Sequence, residues 1–126
     1  MSLKQKLLAD LQRQYEFDRT PTRPLSVAGM IKRSFNPRFT PVMLYRLTYA
    51  LHEHGWKGIA RLLSMVNFVL FGIEIAMRCE IGEGLYLPHT VGTVIGANRI
   101  GKNAVIYHGV TFGAKEVDIE YNEEQR

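Results

Sequence analysis

The stretch from Glu80 to Ala114 constrains this 126-residue chain most, because apolar residues recur in it at six-residue steps. Ile81 leads to Leu87, and a second run passes through Val94, Ile100, Ile106 and Phe112. A period of six matches neither the 3.6-residue turn of a helix nor the two-residue alternation of a strand. It predicts a parallel β-helix, in which each hexad supplies one short strand, one corner and one side chain pointing into a narrow prism.

Small and turn-forming residues support the same interpretation. Glycine or asparagine follows several of the periodic apolar residues, and these residue types tolerate the positive φ that a corner requires; they are Gly82, Gly96, Asn98, Gly101, Asn103 and Gly113. A glycine-rich β-meander with accidental spacing is the alternative. The number of steps over which the period holds favours the β-helix.

The chain before the hexads predicts helices. Ser2 and Gln5 can form a capping box, and leucines at i,i+4 spacing then lead to Tyr15. A short helix is expected within 25–35. Thr40 and Pro41 predict another helix start, with Thr40 as the cap and an apolar stripe of Met43, Leu47 and Leu51.

A final helix is predicted over 56–71, ended by Gly72. Its wide apolar face comprises Ile59, Leu62, Leu63, Val66 and Leu70. We expect the last two helices to form an antiparallel hairpin that closes the open end of the first coil, because a bare terminal coil exposes its core and strand edges.

The predicted class is therefore α+β, with a helical N-terminal region over 1–73 and β-helix coils over 74–126. The coils are expected to be incomplete and to end in the acidic segment VDIEYNEEQR. About two coils fall short of the three repeats that a repeat protein usually needs for stability. This predicts a product truncated at its C-terminus.

Composition narrows the function classes. The net charge is +4, and residues 1–40 hold eight Lys or Arg against three acids. That excess would suit an anionic surface or simply a solvated basic face, and no aromatic-plus-basic motif predicts nucleic-acid binding. The apolar run 62–73 is too short to span a bilayer. The single Cys79 excludes an internal disulfide, is expected to be a buried hydrophobe, and fits a reducing cytoplasm.

With the hexads placed, the sequence resembles the serine acetyltransferases and related hexapeptide-repeat O-acetyltransferases. The resemblance runs from Asn36 to Ala114 and includes the segments GIEI, IGEGLYLPHTVGTVIG and GVTFG. It implies a left-handed β-helix, a homotrimer or a dimer of trimers, and acetyl-CoA bound beside the coils.

The family pattern places a catalytic histidine on His89, in LPHTVG, and its acidic partner on Glu74, fifteen residues earlier. Imidazole is suited to take the proton of a hydroxyl as its oxygen attacks a thioester. A carboxylate on the other ring nitrogen would fix the tautomer, and a backbone N–H would stabilise the oxyanion. The alternative for His89 is a corner histidine that only satisfies a turn.

Three departures from the family pattern matter. Pro88 stands where serine acetyltransferases place an Asp that contacts the amino-acid substrate, which makes a sugar or another hydroxyl acceptor more plausible. Ile95 and Ile100 are five residues apart rather than six. The later coils that form most of the CoA groove are absent. Gly113 and Ala114 match a cofactor-binding Gly-Gly pair of the family and would therefore be a partial site. Arg126 could correspond to a substrate-binding Arg of the family.

No metal is expected. His108 lies nineteen residues after His89 and could neighbour it on the next coil, but a zinc site of the carbonic-anhydrase type would need a third, suitably placed histidine. His52 and His54 fall near a predicted helix end, where exposed histidine is common.

The predicted function is an acetyl-CoA-dependent O-acetyltransferase resembling serine O-acetyltransferase of cysteine biosynthesis. A polysaccharide or sugar O-acetyltransferase is the alternative acceptor choice. A non-catalytic remnant that only forms oligomers through its helices is the alternative from another class. Attachment to a membrane surface through the basic first helix and the apolar helix over 56–71 is a further, less favoured possibility.

Overall fold

A computed structural model describes residues 1–19 and 25–113. Four helices precede five short strands, which confirms the predicted order of elements. The helices are α1 (Leu3–Phe17), α2 (Val27–Arg33), α3 (Thr40–Glu53) and α4 (Lys57–Phe71). The strands are β1 (Ile73–Ile75), β2 (Glu80–Ile81), β3 (Thr93–Ile95), β4 (Arg99–Ile100) and β5 (Thr111–Phe112).

The first and last helix boundaries follow the sequence signals. Ser2 caps α1 through the predicted capping box, in which its hydroxyl accepts from the Gln5 N–H and the Gln5 side chain accepts from the Ser2 N–H. Gly72 ends α4 in the left-handed conformation, with φ +66°. In the described part of the chain, no helix combines the length and hydrophobicity needed to cross a bilayer.

The prediction for α3 is wrong in two details. Phe39 is the N-cap, and the Thr40 hydroxyl donates to the carbonyls of Ser34 and Asn36 instead of capping the helix. The buried face includes Val42 and Tyr45, whereas the predicted stripe residue Leu47 is exposed. The buried face of α3 is displaced from the predicted stripe because the helix must present Tyr45 and Arg46 to the coils.

Helix α4 also departs from the prediction. Its buried residues are Ala60 and Asn67, and most of its large apolar side chains face outward. We call this exposed set the α4 apolar face; it comprises Ile59, Leu62, Met65, Phe68, Val69 and Leu70. Several large apolar side chains exposed on one helix often mark a surface that another molecule covers.

The strands pair only in parallel, along three separate lines. One line is the sheet β1-β3-β5, the second is the sheet β2-β4, and the third is an isolated bridge between Tyr86 and Val105. Partners on the first line are twenty residues apart between β1 and β3 and seventeen apart between β3 and β5. On the second line they are nineteen apart. Each circuit of the chain therefore returns to its neighbour after seventeen to twenty residues.

The inward positions follow these registers. Ile75, Ile81 and Leu87 are buried six residues apart, and the next buried aliphatic residue is Ile95. The expectation that Val94 points inward is wrong, because β3 buries Thr93 and Ile95 and exposes Val94. The short step from Ile95 to Ile100 removes one residue from the second circuit, while the β2–β4 and β3–β5 pairings are kept.

A buried ion pair joins the helices to the strands. Arg46 of α3 contacts Asp10 of α1 through two hydrogen bonds, at 2.8 and 2.9 Å, and also donates to the carbonyls of Ile81 and Gly82. Asp10 in turn accepts from the backbone N–H groups of Gly84 and Leu85.

The neighbouring Tyr45 links the same two layers. Its hydroxyl donates to the Cys79 carbonyl and accepts from the Ile81 N–H. Burial raises the pKa of Tyr45 and also that of the Cys79 thiol. The expectation that Cys79 is a buried hydrophobe is confirmed by its position in the core.

We expect Gly82→Ala to destabilise the protein by about 1–3 kcal/mol, the usual range for overpacking. A Cβ at Gly82 would lie 2.6 Å from the Lys102 backbone nitrogen, where neighbouring circuits pack closely. Gly101→Ala is the matched control, because a Cβ there meets nothing within 4 Å. Urea denaturation checks the difference, and equal midpoints for the two variants would show that the circuits do not approach this closely.

Candidate active site

The segment from Pro88 to Gly92 forms a turn that carries His89 outward. Thr90 is buried, and its hydroxyl donates to the Phe71 carbonyl at 2.7 Å. The Gly92 N–H donates to the Gly72 carbonyl at 2.9 Å. The turn is thereby fixed to the end of α4, and His89 is left exposed on an anchored support.

His89 borders a cleft of about 450 Å³. The cleft is lined by the turn residues Pro88 to Val91, by Leu70 and Phe71 at the end of α4, and by Pro37 and Arg38. Two chemically different polar groups, an imidazole and a guanidinium, thus face one mostly apolar depression. Such a combination suits a small molecule that is oriented by a few polar contacts.

His108 lies beside His89. The two ring centroids are 5.6 Å apart, and the rings are nearly perpendicular, at 78°. This places the two histidines on adjacent circuits, as their nineteen-residue spacing predicts. The His108-bearing turn is also held in place, since the Gly109 N–H donates to the Val91 carbonyl at 3.1 Å.

Glu74 lies elsewhere on the same chain. Its side chain points outward from β1 and borders a smaller cavity with Ser64, Met65 and Phe68 of α4. Within the described residues, neither a hydrogen bond nor an ion pair joins Glu74 to His89. A single chain therefore brings His89 together with His108 and Arg38, and leaves Glu74 beside the α4 apolar face.

The cleft carries a positive charge. Asp18 forms ion pairs with both Arg33, at 3.4 Å, and Arg38, at 3.6 Å, so one carboxylate is shared by two guanidinium groups. Burial raises the pKa of the nearby Tyr86, and the Arg38 charge opposes that rise.

The remaining predicted site residues are less informative. Gly113 is the last described residue and is exposed, while Ala114 and Arg126 lie outside the described residues. Within the described residues 1–19 and 25–113, no group of three or more His, Cys, Asp or Glu is placed to hold a metal ion.

Sequence reasoning missed Arg38. The residue follows an Asn-Pro turn that the sequence does indicate, but the turn carries no signal that Arg38 lines the same cleft as His89, fifty-one positions later. The two segments come together through the packing of α3 and α4 on the strands, and local patterns do not report it.

Known proteins similar to this chain agree with the resemblance seen in the sequence. A serine acetyltransferase of Helicobacter pylori is 44% identical over 78 residues, which cover 61% of this chain and 46% of that protein. The crystal structure of a Neisseria gonorrhoeae serine acetyltransferase in complex with serine superposes with a TM-score of 0.71 and 28% identity, covering 92% of this chain and 47% of that one. The chain is similar to serine acetyltransferases in sequence and in fold.

A serine acetyltransferase structure in complex with CoA is also similar, with a TM-score of 0.68 and 25% identity over 85% of this chain and 44% of that one. No protein-family model matches the chain. The chain spans less than half the length of each of these serine acetyltransferases. The likeness therefore covers the helices and the first circuits of the family fold.

Proposed function

We propose that the chain acts as an acetyl-CoA-dependent O-acetyltransferase in which His89 is the general base. The observation that carries the proposal is the anchored, outward-facing His89 at the cleft it shares with Arg38. Related proteins named serine acetyltransferase, one of them solved with CoA and another with serine, support the donor and the hydroxyl acceptor.

The reaction needs no covalent enzyme intermediate. A ring nitrogen of His89 takes the proton of the acceptor hydroxyl while its oxygen forms a bond to the thioester carbonyl carbon. The carbon–sulfur bond then breaks, and the imidazolium returns the proton to the departing thiolate. The chain's one cysteine, Cys79, is wholly buried and so is not available as a competing nucleophile.

The same proposal extends to the fold. The three parallel lines of strand pairing and the circuits of seventeen to twenty residues support a left-handed β-helix that begins at 74 and follows a helical region. Gly113 and Ala114 would lie along acetyl-CoA beside these coils. Glycine at 113 suits this role, because a Cβ there would meet no described atom within 4 Å.

We propose that three copies assemble through the α4 apolar face. The face borders the cavity that holds Glu74, since Met65 and Phe68 belong to both. A neighbouring copy seated there would approach Glu74, and its own His89 could then receive the carboxylate. Glu74 would thus act as the orienting partner of His89 between subunits.

Val69→Glu should convert the assembly to monomers, because it places a charge in the centre of a face that association would bury. Val69 is 73% exposed in the single chain, so the substitution should leave the monomer folded. Ile31→Glu on α2, where the side chain is 65% exposed, is the control and should remain oligomeric. Sedimentation equilibrium distinguishes the two, and a monomeric wild-type chain would contradict the assembly.

Thiol release from acetyl-CoA tests the proposed activity, with serine and a panel of sugars as acceptors. Release that depends on an acceptor supports the transferase. An oligomer that releases no thiol with any acceptor would instead support the alternative, in which the chain only assembles.

A further inference from the structure

We propose that Arg38 selects the acceptor, and that the acceptor carries an oxyanion group, a carboxylate or a phosphate, close to the hydroxyl that is acetylated. This inference rests on the proposed acetyltransferase function and names the substrate class of that site. It follows from the position of Arg38, from the charge around it and from the residue that precedes His89.

Arg38 is presented to the cleft by a fixed turn. Its backbone N–H donates to the Asn36 side-chain oxygen at 2.9 Å, and the Phe39 and Thr40 N–H groups both donate to the Asn36 carbonyl. The turn leads directly into α3. The base of the Arg38 side chain is therefore held at the cleft that His89 also lines.

The guanidinium retains capacity to bind an anion. Its separation from Asp18 is 3.6 Å, which exceeds an ordinary hydrogen bond, and Asp18 is shared with Arg33. The guanidinium also hydrogen-bonds the Tyr86 side chain, which leaves its other N–H donors for a ligand. The Arg38 side chain is 46% exposed. A planar guanidinium presents its N–H donors in a fork that matches a carboxylate or phosphate with two parallel hydrogen bonds.

A cationic group is not favoured in the same cleft. Pro88 stands immediately before His89 and provides no carboxylate for an ammonium group, and none of the described residues that line the cleft is acidic. The positive charge of Arg38 would repel an ammonium group bound in the same cleft. The acceptor is therefore a hydroxy acid, an acidic sugar or a phosphorylated sugar, and an amino group contributes nothing to its binding.

Matched acceptor pairs test this assignment. Methyl glucuronide against methyl glucoside adds a carboxylate to one sugar, glucose 6-phosphate against glucose adds a phosphate, and glycerate against serine removes the ammonium group. We expect each anionic sugar to exceed its neutral partner in kcat/KM by about tenfold to a hundredfold, the range of a charge-assisted hydrogen-bonded pair. We expect glycerate to be at least as good as serine. The larger of the two sugar ratios identifies the oxyanion.

Arg38→Gln should bring the anionic-to-neutral ratio of kcat/KM close to one. Arg61→Gln on α4 is the matched control, because Arg61 is exposed and does not line the cleft. An unchanged ratio in Arg38→Gln, or a clear preference for serine over glycerate, would overturn the inference while leaving the transferase intact.

Saturation-transfer NMR separates failure of the inference from failure of the function. Methyl glucuronide and glucose 6-phosphate should show transfer from the wild-type chain and from Arg61→Gln, and much less from Arg38→Gln. If no acceptor is acetylated but this binding pattern holds, the proposed function fails and the anion site stands. If neither anionic sugar binds, the inference is overturned.

Discussion

His89→Ala should lower kcat for acetyl transfer by a factor of about 10²–10⁴, the usual contribution of a general base. The anchored turn holds the imidazole at the cleft mouth, and alanine leaves no group there to accept the hydroxyl proton. KM for the acceptor should change little, since Arg38 and the apolar walls remain. Steady-state thiol release measures both quantities.

His54→Ala is the control, because His54 lies at the end of α3 and contacts the Ala50 carbonyl, away from the cleft. Its activity should match that of the wild type, and both variants should keep the wild-type oligomeric state. Full activity in His89→Ala would rule out His89 as the general base.

Mixed oligomers of His89→Ala and Glu74→Ala should recover part of the activity if the two residues meet between subunits, and should recover none if they act within one chain.

Arg46→Leu should cost about 3–5 kcal/mol of unfolding free energy, as removal of one partner from a buried ion pair does. The side chains of Arg46 and Asp10 are 2% and 0% exposed, so the substitution leaves a buried carboxylate unpaired. It also leaves the carbonyls of Ile81 and Gly82 without their donor. Urea denaturation should show a large drop in the midpoint.

The double variant Asp10→Leu with Arg46→Leu should recover only part of this loss. Four backbone groups of the strand layer rely on the pair, and leucine satisfies none of them. Arg99→Gln provides the surface comparison, because Arg99 and Glu80 form an exposed pair and its loss should not move the midpoint measurably. A wild-type midpoint in Arg46→Leu would show that this network does not hold the layers together.

Local signals in the sequence predicted much of the fold. The capping box at Ser2, the stop at Gly72 and the inward positions Ile81 and Ile106 each depend on a few neighbouring residues, and the structure confirms them. The step at Val94 failed because Ile95 and Ile100 are only five residues apart, so a six-residue count back from Ile100 reaches Val94 instead of the inward Ile95. The pairing partners are needed to show which of the two neighbours points inward.

The helices show a different limit. Hydrophobic periodicity on α4 correctly identified an amphipathic helix, but it could not tell a face buried within the chain from one left for another molecule. On α3, the polar residue Arg46 is buried because Asp10 of α1 lies opposite it. That partner is thirty-six positions away, so no local pattern indicates that a charged residue belongs in the core.

For the candidate site, the sequence supplied His89 and its neighbour His108, while Arg38 came only from the structure. The role of Glu74 stays a prediction, because its fifteen-residue spacing places it near His89 in sequence terms but beside a different cavity in one chain. Spacing within a repeat indicates the circuit on which a residue lies, and not which subunit completes the site.

The unequal circuits of twenty and seventeen residues have a practical meaning for evolution and engineering. Length changes at a corner are absorbed there, because the strand pairings on either side keep their partners. The corner that carries Pro88 can thus change in length, provided that the Thr90 and Gly92 hydrogen bonds that anchor His89 are kept. New acceptor preferences could arise on this scaffold without a change in the packing of the core. The corner is therefore the first segment to exchange when the acceptor selectivity is redesigned.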